Sequence, residues 1–456
     1  MKKRIIGLCV ALLCLSLTGL AYAQSPKLNH KEMLGKLVFE DTAFSANGNQ
    51  SCQTCHHPDA AFSDPVNRIS PMYRPVSEGS DGVSFGDRNA PPAAYTKFSP
   101  PLFWDDAEGL FIGGLFWDGR ASGIAVTDTG GLGAGATLDP LADQAKGPFG
   151  SAVEMALVDE SGTGGLTTEE KVVNIVALKY AKQYRKAWKS SIANDDVGVA
   201  YNNIALAISA FEKSKELNKF NSKFDKFRKE QRRKGLDVSQ ITVDFLSLNT
   251  IKSRFYTQDE IEGLALFNTE PVRLSGVVQV GEGGGGCFLC HPVPANNATK
   301  AESVFTDFSY DNLGIPNNPA VDTLAGTDPL DQDLGLGGQE AVLVEAYNNA
   351  MGTTLTALDP PLPTLLPEQN GKFKVSSLRN IALTAPYGHN GFFPTLYDIV
   401  HFYNVRGNDP DPATWNNIWG LPEVAATVNT EELGDLGLTF EGEQKIVLFL
   451  ETLTDN

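Results

Sequence analysis

Ser51-Cys52-Gln53-Thr54-Cys55-His56-His57 contains the pattern Cys-x-x-Cys-His, which returns as Cys287-Phe288-Leu289-Cys290-His291. This is the attachment signature of a c-type haem. On one helical turn, cysteines at i and i+3 share a face and can both bond the macrocycle's vinyl groups, while the next residue offers an imidazole to iron. Two C-x-x-C pairs could instead build a four-thiolate zinc site or two redox-active disulfides. Neither needs the histidine that follows both pairs. The expected cofactors are therefore two covalently bound haem c groups, attached at Cys52, Cys55, Cys287 and Cys290, with His56 and His291 as proximal iron ligands.

Upstream of the first motif, Lys2, Lys3 and Arg4 precede an apolar run that ends at Ala21-Tyr22-Ala23. That order reads as a secretory signal peptide at 1–23, and the run is shorter than the ~20 residues a membrane span needs. Export to the periplasm or cell surface follows as an expectation. Cys9 and Cys14 leave with the signal, so all four remaining cysteines serve haem and no structural disulfide is left to form. Loss of three basic residues leaves 34 basic against 55 acidic side chains, a formal charge of −21. Such a balance disfavours nucleic acid and anionic membrane, and favours a partner with a basic docking patch. About 430 residues and two haem motifs suggest one domain per haem: 24–235 for the first and 255–456 for the second, with the last helix able to pack back on the first.

Apolar periodicity predicts helices over 30–39, 168–190, 201–217, 261–267 and 440–453. The fourth opens with the capping box Thr257-Gln258-Asp259-Glu260. Residues 58–108 read as irregular, 122–140 and 316–370 as insertions, and 281–286 as a flexible Gly-rich loop lacking a phosphate-binding ending. The basic run 226–234 is expected to be a solvated linker, with a docking site as the alternative. The histidines and methionines left for a sixth iron position are few: His30, His57, His389, His401, Met33, Met72, Met155 and Met351. A five-coordinate haem binds peroxide or oxygen, whereas a six-coordinate one transfers electrons.

Several further motifs carry a family resemblance: Arg88-Asn89-Ala90-Pro91, Phe116-Trp117-Asp118-Gly119-Arg120, Gln144-Ala145-Lys146-Gly147-Pro148 with Glu154, Leu378-Arg379-Asn380, and Leu383-Thr384-Ala385-Pro386-Tyr387. In this order around two haem motifs, the sequence resembles the bacterial di-haem cytochrome c peroxidases, and more closely their MauG-like branch. The resemblance implies a mainly α fold of two cytochrome c-like haem domains with long loops and few short strands. It makes the N-terminal haem the hydrogen peroxide site, with Gln144, Pro148 and Glu154 about its distal pocket. A carboxyl beside bound peroxide can move a proton between the two oxygens. Trp117 matches the tryptophan between the haems, and the following Gly119-Arg120 separates it from the rival Trp104. Asn89 with the carbonyls of Thr384 and Pro386 matches a calcium site, whose all-oxygen ligands suit that cation.

Two departures favour the MauG-like branch. Conventional members carry a distal histidine between the first haem motif and Arg-Asn-Ala-Pro, yet residues 58–87 contain none, leaving that iron open unless Met72 substitutes. They also place a methionine where this chain has Tyr403, in Leu396-Tyr397-Asp398-Ile399-Val400-His401-Phe402-Tyr403. A phenolate would stabilise oxidised iron. His401 is the rival ligand, but a two-residue offset on a helix points it about 200° away. His389 is given a supporting role only. The resemblance thus implies peroxide-driven oxidation of a residue on a partner protein. A conventional peroxidase fed by a small redox protein is the alternative, and a non-catalytic di-haem electron carrier the reading of another class.

Overall fold

The computed structural model describes residues 27–124, 139–274, 277–281, 283–407 and 418–456. The expected signal peptide and residues 125–138 of the expected insertion lie outside the described residues. The first half runs α1 His30–Glu40, α2 Cys52–Cys55, α3 Pro65–Ile69, a hairpin of β1 Phe103–Asp105 and β2 Leu110–Ile112, α4 Pro140–Gly150, α5 Thr168–Lys179, α6 Ala181–Trp188 and α7 Val197–Glu212. The second runs α8 Lys223–Arg233, α9 Val243–Leu248, α10 Gln258–Phe267, β3 Arg273–Leu274 with β4 Val277–Val278, β5 Tyr310–Asp311, α11 Pro319–Ala325, α12 Glu340–Met351, α13 Leu362–Leu365, β6 Phe373–Lys374 paired to β5, α14 Leu396–Val405 and α15 Phe440–Glu451. The fold is mainly helical with a few short strands, as expected.

Each half is built on one close helix crossing. Asn29 and Glu32 form a capping box that starts α1, and Leu34 and Val38 bury its inner face. Between them Gly35 lies against α7 so closely that a Cβ would stand 1.8 Å from the Ala207 carbonyl oxygen. In the second half, Gly263 of α10 meets the Lys445 carbonyl of α15 in the same way, at 1.9 Å. Either Gly→Ala change must push two helices apart, an overpacking that costs about 1–3 kcal/mol. The expected result is a lower denaturant midpoint for Gly35→Ala and Gly263→Ala. Gly198→Ala, with nothing within 4 Å, should not lower it.

Four local expectations change. The helix expected over 168–190 breaks at Tyr180, whose φ of −129° ends α5. The Tyr180 hydroxyl donates to Asp41 Oδ2 at 2.8 Å, and α6 turns to lie along α1. The basic run is not a linker but helix α8, because Phe224 and Phe227 enter the second core and Phe227 stacks on Tyr256 at 4.0 Å. The Gly-rich loop is not slack. Its Gly283 to Gly286 are buried, and a Cβ at Gly284 would meet the Thr269 carbonyl at 2.2 Å, so glycine is needed for close approach. Last, α8 lies within the expected first domain, 24–235, yet shares the second core, so α15 packs on α10 and, through Phe449 on Phe224, on α8. The tail beyond it reaches the first half, where Asp455 accepts from the Tyr95 hydroxyl.

The 316–370 segment folds onto the β1–β2 hairpin. Leu336, Leu343 and Tyr347 form a third core with Phe111, and Trp104 packs there against Phe111 and Tyr347.

Candidate haem sites

The two haem motifs open into two separate cavities. In the first, α2 places Cys52 and Cys55 on one turn as free thiols, and burial raises the proton affinity of both. His56 follows at the C-cap, and its Nδ1 lies 3.1 Å from the Phe62 carbonyl. A carbonyl can only accept, so Nδ1 carries the proton and Nε2 keeps its lone pair for a metal. Phe62 delivers that carbonyl from a left-handed backbone conformation, φ 65°.

Gln144, Glu154, Trp117 and Arg120 stand in the wall of this cavity, which holds about 1580 Å³ of empty space with its mouth included. Pro148 is not in the wall. It lies within α4, four residues beyond Gln144, where it deprives the Gln144 carbonyl of its i+4 N–H partner. The Glu154 side chain is exposed to this open cavity, while the protein gathered around the site displaces water from its carboxyl and raises its proton affinity. A hydrogen bond from Ser151 and the nearby Arg120 charge oppose that rise. Among the described residues, no methionine and no histidine besides His56 lines the cavity. Met72 stands on the surface, 65% exposed.

The second cavity repeats the proximal device. His291 Nδ1 donates to the Phe305 carbonyl at 2.8 Å, and Phe305 again has positive φ, 56°. Cys287, Cys290 and Tyr403 line the cavity. Burial pushes the Tyr403 phenol up, while the Arg406 charge one helical turn on favours its ionised form. His401 is not in the wall. Its Nδ1 lies 2.9 Å from Glu443 Oε1, and its ring stacks on Tyr397. The helical offset read from the sequence accounts for the difference between the two side chains.

Trp117 lines both cavities, and its Nε1 donates to the Asn89 carbonyl at 2.8 Å. Lys374 also lines both, with Nζ donating to the Gly113 carbonyl at 2.8 Å. Burial lowers its pKa to about 7. Asn89, Thr384 and Pro386 meet in the second wall. His389 is buried there, stacked 3.5 Å from Phe373, with Nε2 3.1 Å from Glu423. An ion-pair chain ties the halves behind Trp117: Arg88 reaches Asp118 at 2.6 Å and Asp333, from the 316–370 segment, at 2.6 Å.

Comparison with known proteins bears on this arrangement. The chain is 30% identical to methylamine utilization protein MauG of Paracoccus denitrificans, over 96% of its own length and 92% of that protein. The chain belongs to the di-haem cytochrome c peroxidase family. The family's own sequence profile, described as di-haem cytochrome c peroxidase, matches residues 29–233. A second relative, cytochrome c551 peroxidase of Nitrosomonas europaea, is 25% identical over 95% of the chain and 82% of that protein. Among solved structures, the di-haem peroxidase BthA of Burkholderia thailandensis superposes with a TM-score of 0.64 at 26% identity, covering 93% of this chain and 86% of that one. Membership makes the protein an oxidoreductase of the peroxidase and MauG kind, with two haem c cofactors.

The residues present fit that pair of haem cofactors. Each motif holds two unpaired thiols and sets its imidazole, Nε2 free, against a cavity, with Cys55 in the first wall and Cys287 and Cys290 in the second. Two members of the walls escaped the sequence reading. Lys374 gave no signal, lying in an ordinary run of Lys and Phe. Glu212 did give one, since Ile204, Ile208 and Glu212 share a helical face and an acid in an apolar stripe is out of place. Glu212 is 3% exposed, its Oε2 has no hydrogen-bond partner, and burial lifts its pKa to about 8.

A carboxyl bound more tightly to its proton in the folded state loses stability as pH rises from its unfolded value near 4.3 toward the folded one. Glu212→Gln should therefore flatten the fall in unfolding free energy between pH 5 and about 8. Urea titrations at the two ends of that window give the slope.

Proposed function

We propose that this protein is an exported di-haem oxidoreductase that uses hydrogen peroxide at the first cavity to oxidise a residue on a partner protein. When bound, the His56 haem supplies an iron that takes up the oxidising power of peroxide, and the second haem supplies a redox centre that can share it. The chain's own residues do the rest. Glu154 accepts a proton from the near peroxide oxygen and returns it to the far one, which departs as water. Gln144 holds peroxide or water beside it, and Pro148 fixes the bend of α4 that presents Gln144. Trp117, standing in both walls, conducts between the two sites. Tyr403 and His291, which line the second cavity together, would hold the second iron, the phenolate supplying an anionic ligand.

Asn89 and the carbonyls of Thr384 and Pro386, all in the second cavity wall, would hold one calcium ion. The carrying observation is that Tyr403 lines the second cavity while His401 is engaged with Glu443.

Optical and electron paramagnetic resonance spectra of the as-isolated diferric protein test the reading. A high-spin component and direct reaction with peroxide are expected. Purely low-spin spectra would return the protein to the electron carriers. A need for prior one-electron reduction would return it to the conventional peroxidases, a reading the cytochrome c551 peroxidase relationship keeps open.

A further inference from the structure

The outer face of α8 has no task in that chemistry. Lys226, Lys229, Arg232 and Arg233 are exposed there, and among the described residues none of the four forms an ion pair. Lys234 turns back instead, 3.3 Å from Glu230. Positions i, i+3, i+6 and i+7 gather on one side of a helix, so the four charges make a single face. The chain as a whole holds 55 acidic against 37 basic side chains. Over most of the surface an acidic partner is repelled, and at this face it is attracted.

The inner side of α8 leads to the second cavity. The Phe224 ring lies 5.0 Å from the Phe305 ring, and the Phe305 carbonyl holds His291 Nδ1. Arg228 donates to the Ala295 carbonyl and to Ser303 Oγ, clamping α8 to the loop that follows the haem motif. Asp225 binds Arg379 at 2.7 Å, next to Leu378 in the cavity wall. A second exposed basic face exists on α6, at Lys182, Arg185, Lys186 and Lys189. It packs on α1, and none of its residues lines either cavity.

We propose that the exposed face of α8 is the docking site for an acidic, soluble electron-donor protein, seated behind the proximal side of the second haem. This inference rests on the conventional peroxidase reading, in which a small redox protein supplies the electrons, and goes beyond oxidation of a partner residue. Each docked donor gives one electron from its own redox centre and is oxidised by one unit. Two such electrons and two protons reduce one hydrogen peroxide to two waters.

The test uses the holoprotein, a variant with K226Q, K229Q, R232Q and R233Q, and a charge-matched control with K182Q, R185Q, K186Q and K189Q. Plastocyanin, a small copper protein with an acidic surface patch, serves as probe. Calorimetric binding is followed from about 10 mM to about 1 M salt, where the Debye length falls from about 30 Å to about 3 Å. The expected result is binding weakened about tenfold or more in the α8 variant and within about twofold of native in the control, with the difference lost at high salt. Equal effects in both variants, or none in either, would overturn the proposal. So would retention of plastocyanin binding alongside α8-dependent binding to anionic lipid vesicles, which would make the face a membrane contact. Peroxide consumption with ascorbate as donor is measured in parallel. Its absence in native protein would defeat the functional reading, whereas the docking proposal is decided by the calorimetry.

Discussion

Glu154→Gln is expected to slow the reaction with hydrogen peroxide by about 10²–10⁴-fold, the usual worth of a positioned acid-base group, with both haems still attached. Gln keeps the size and the hydrogen-bonding reach of the side chain but can neither take nor return a proton. The wall offers Glu154 a mixed setting: burial favours the protonated acid, and Arg120 and Ser151 favour the carboxylate. Its proton affinity is thus raised while both forms stay within reach. Because the carboxylate form must act first, the native rate should fall on the acid side as pH drops through the raised Glu154 pKa. The Gln variant should lack that limb. Stopped-flow mixing of diferric protein with peroxide across pH provides the measurement. An unchanged rate and profile would remove Glu154 from the reaction. Arg120→Lys, which keeps the charge but not the fork that reaches Asp118 at 2.7 Å, should give a smaller loss.

Tyr403→Met is expected to raise the reduction potential of the second haem by a substantial part of the about 0.8 V that axial ligands span. A phenolate is anionic and stabilises oxidised iron, whereas thioether ligation with histidine raises the potential. Spectroelectrochemical titration of native and variant holoprotein reads the shift. His401→Ala supplies the contrast, because its imidazole is held by Glu443 outside the cavity wall. That change should leave the potential where it was. If instead His401→Ala moves the potential and Tyr403→Met does not, the assignment of the second ligand is reversed.

Local chemistry was readable where a residue's spacing alone set its direction. Tyr403 and His401 sit two apart on α14, and that offset suffices to send one to the cavity and the other to Glu443. Trp117 and Trp104 were separable by the Gly119-Arg120 that follows the first. The structure puts Trp117 in both cavity walls and Trp104 in the 316–370 core. What could not be read depended on partners distant in the chain. Gly283 to Gly286 look flexible until the backbone at 266–272 closes over them. The α8 run looks solvated because its charges outnumber Phe224 and Phe227, yet two buried rings outweigh charges that remain in water on the other face. Asp333 sits in a stretch with no motif, and its importance lies wholly in Arg88, which the fold brings to it.

The paired hooks at Phe62 and Phe305 make the two proximal halves equivalent sockets. In both, a left-handed phenylalanine turns its carbonyl onto the Nδ1 of the motif histidine, so the imidazole is oriented and made more basic by the same device. On the proposed function, the motif side therefore does not distinguish the peroxide-reactive iron from the relaying one. Division of labour within this duplicated plan falls, on that function, to the rest of each cavity wall: Gln144, Arg120 and Glu154 in the first, Tyr403 in the second. Exchanging the haem-binding segments between the halves should leave each iron with its original behaviour, while exchanging those wall residues should trade their roles.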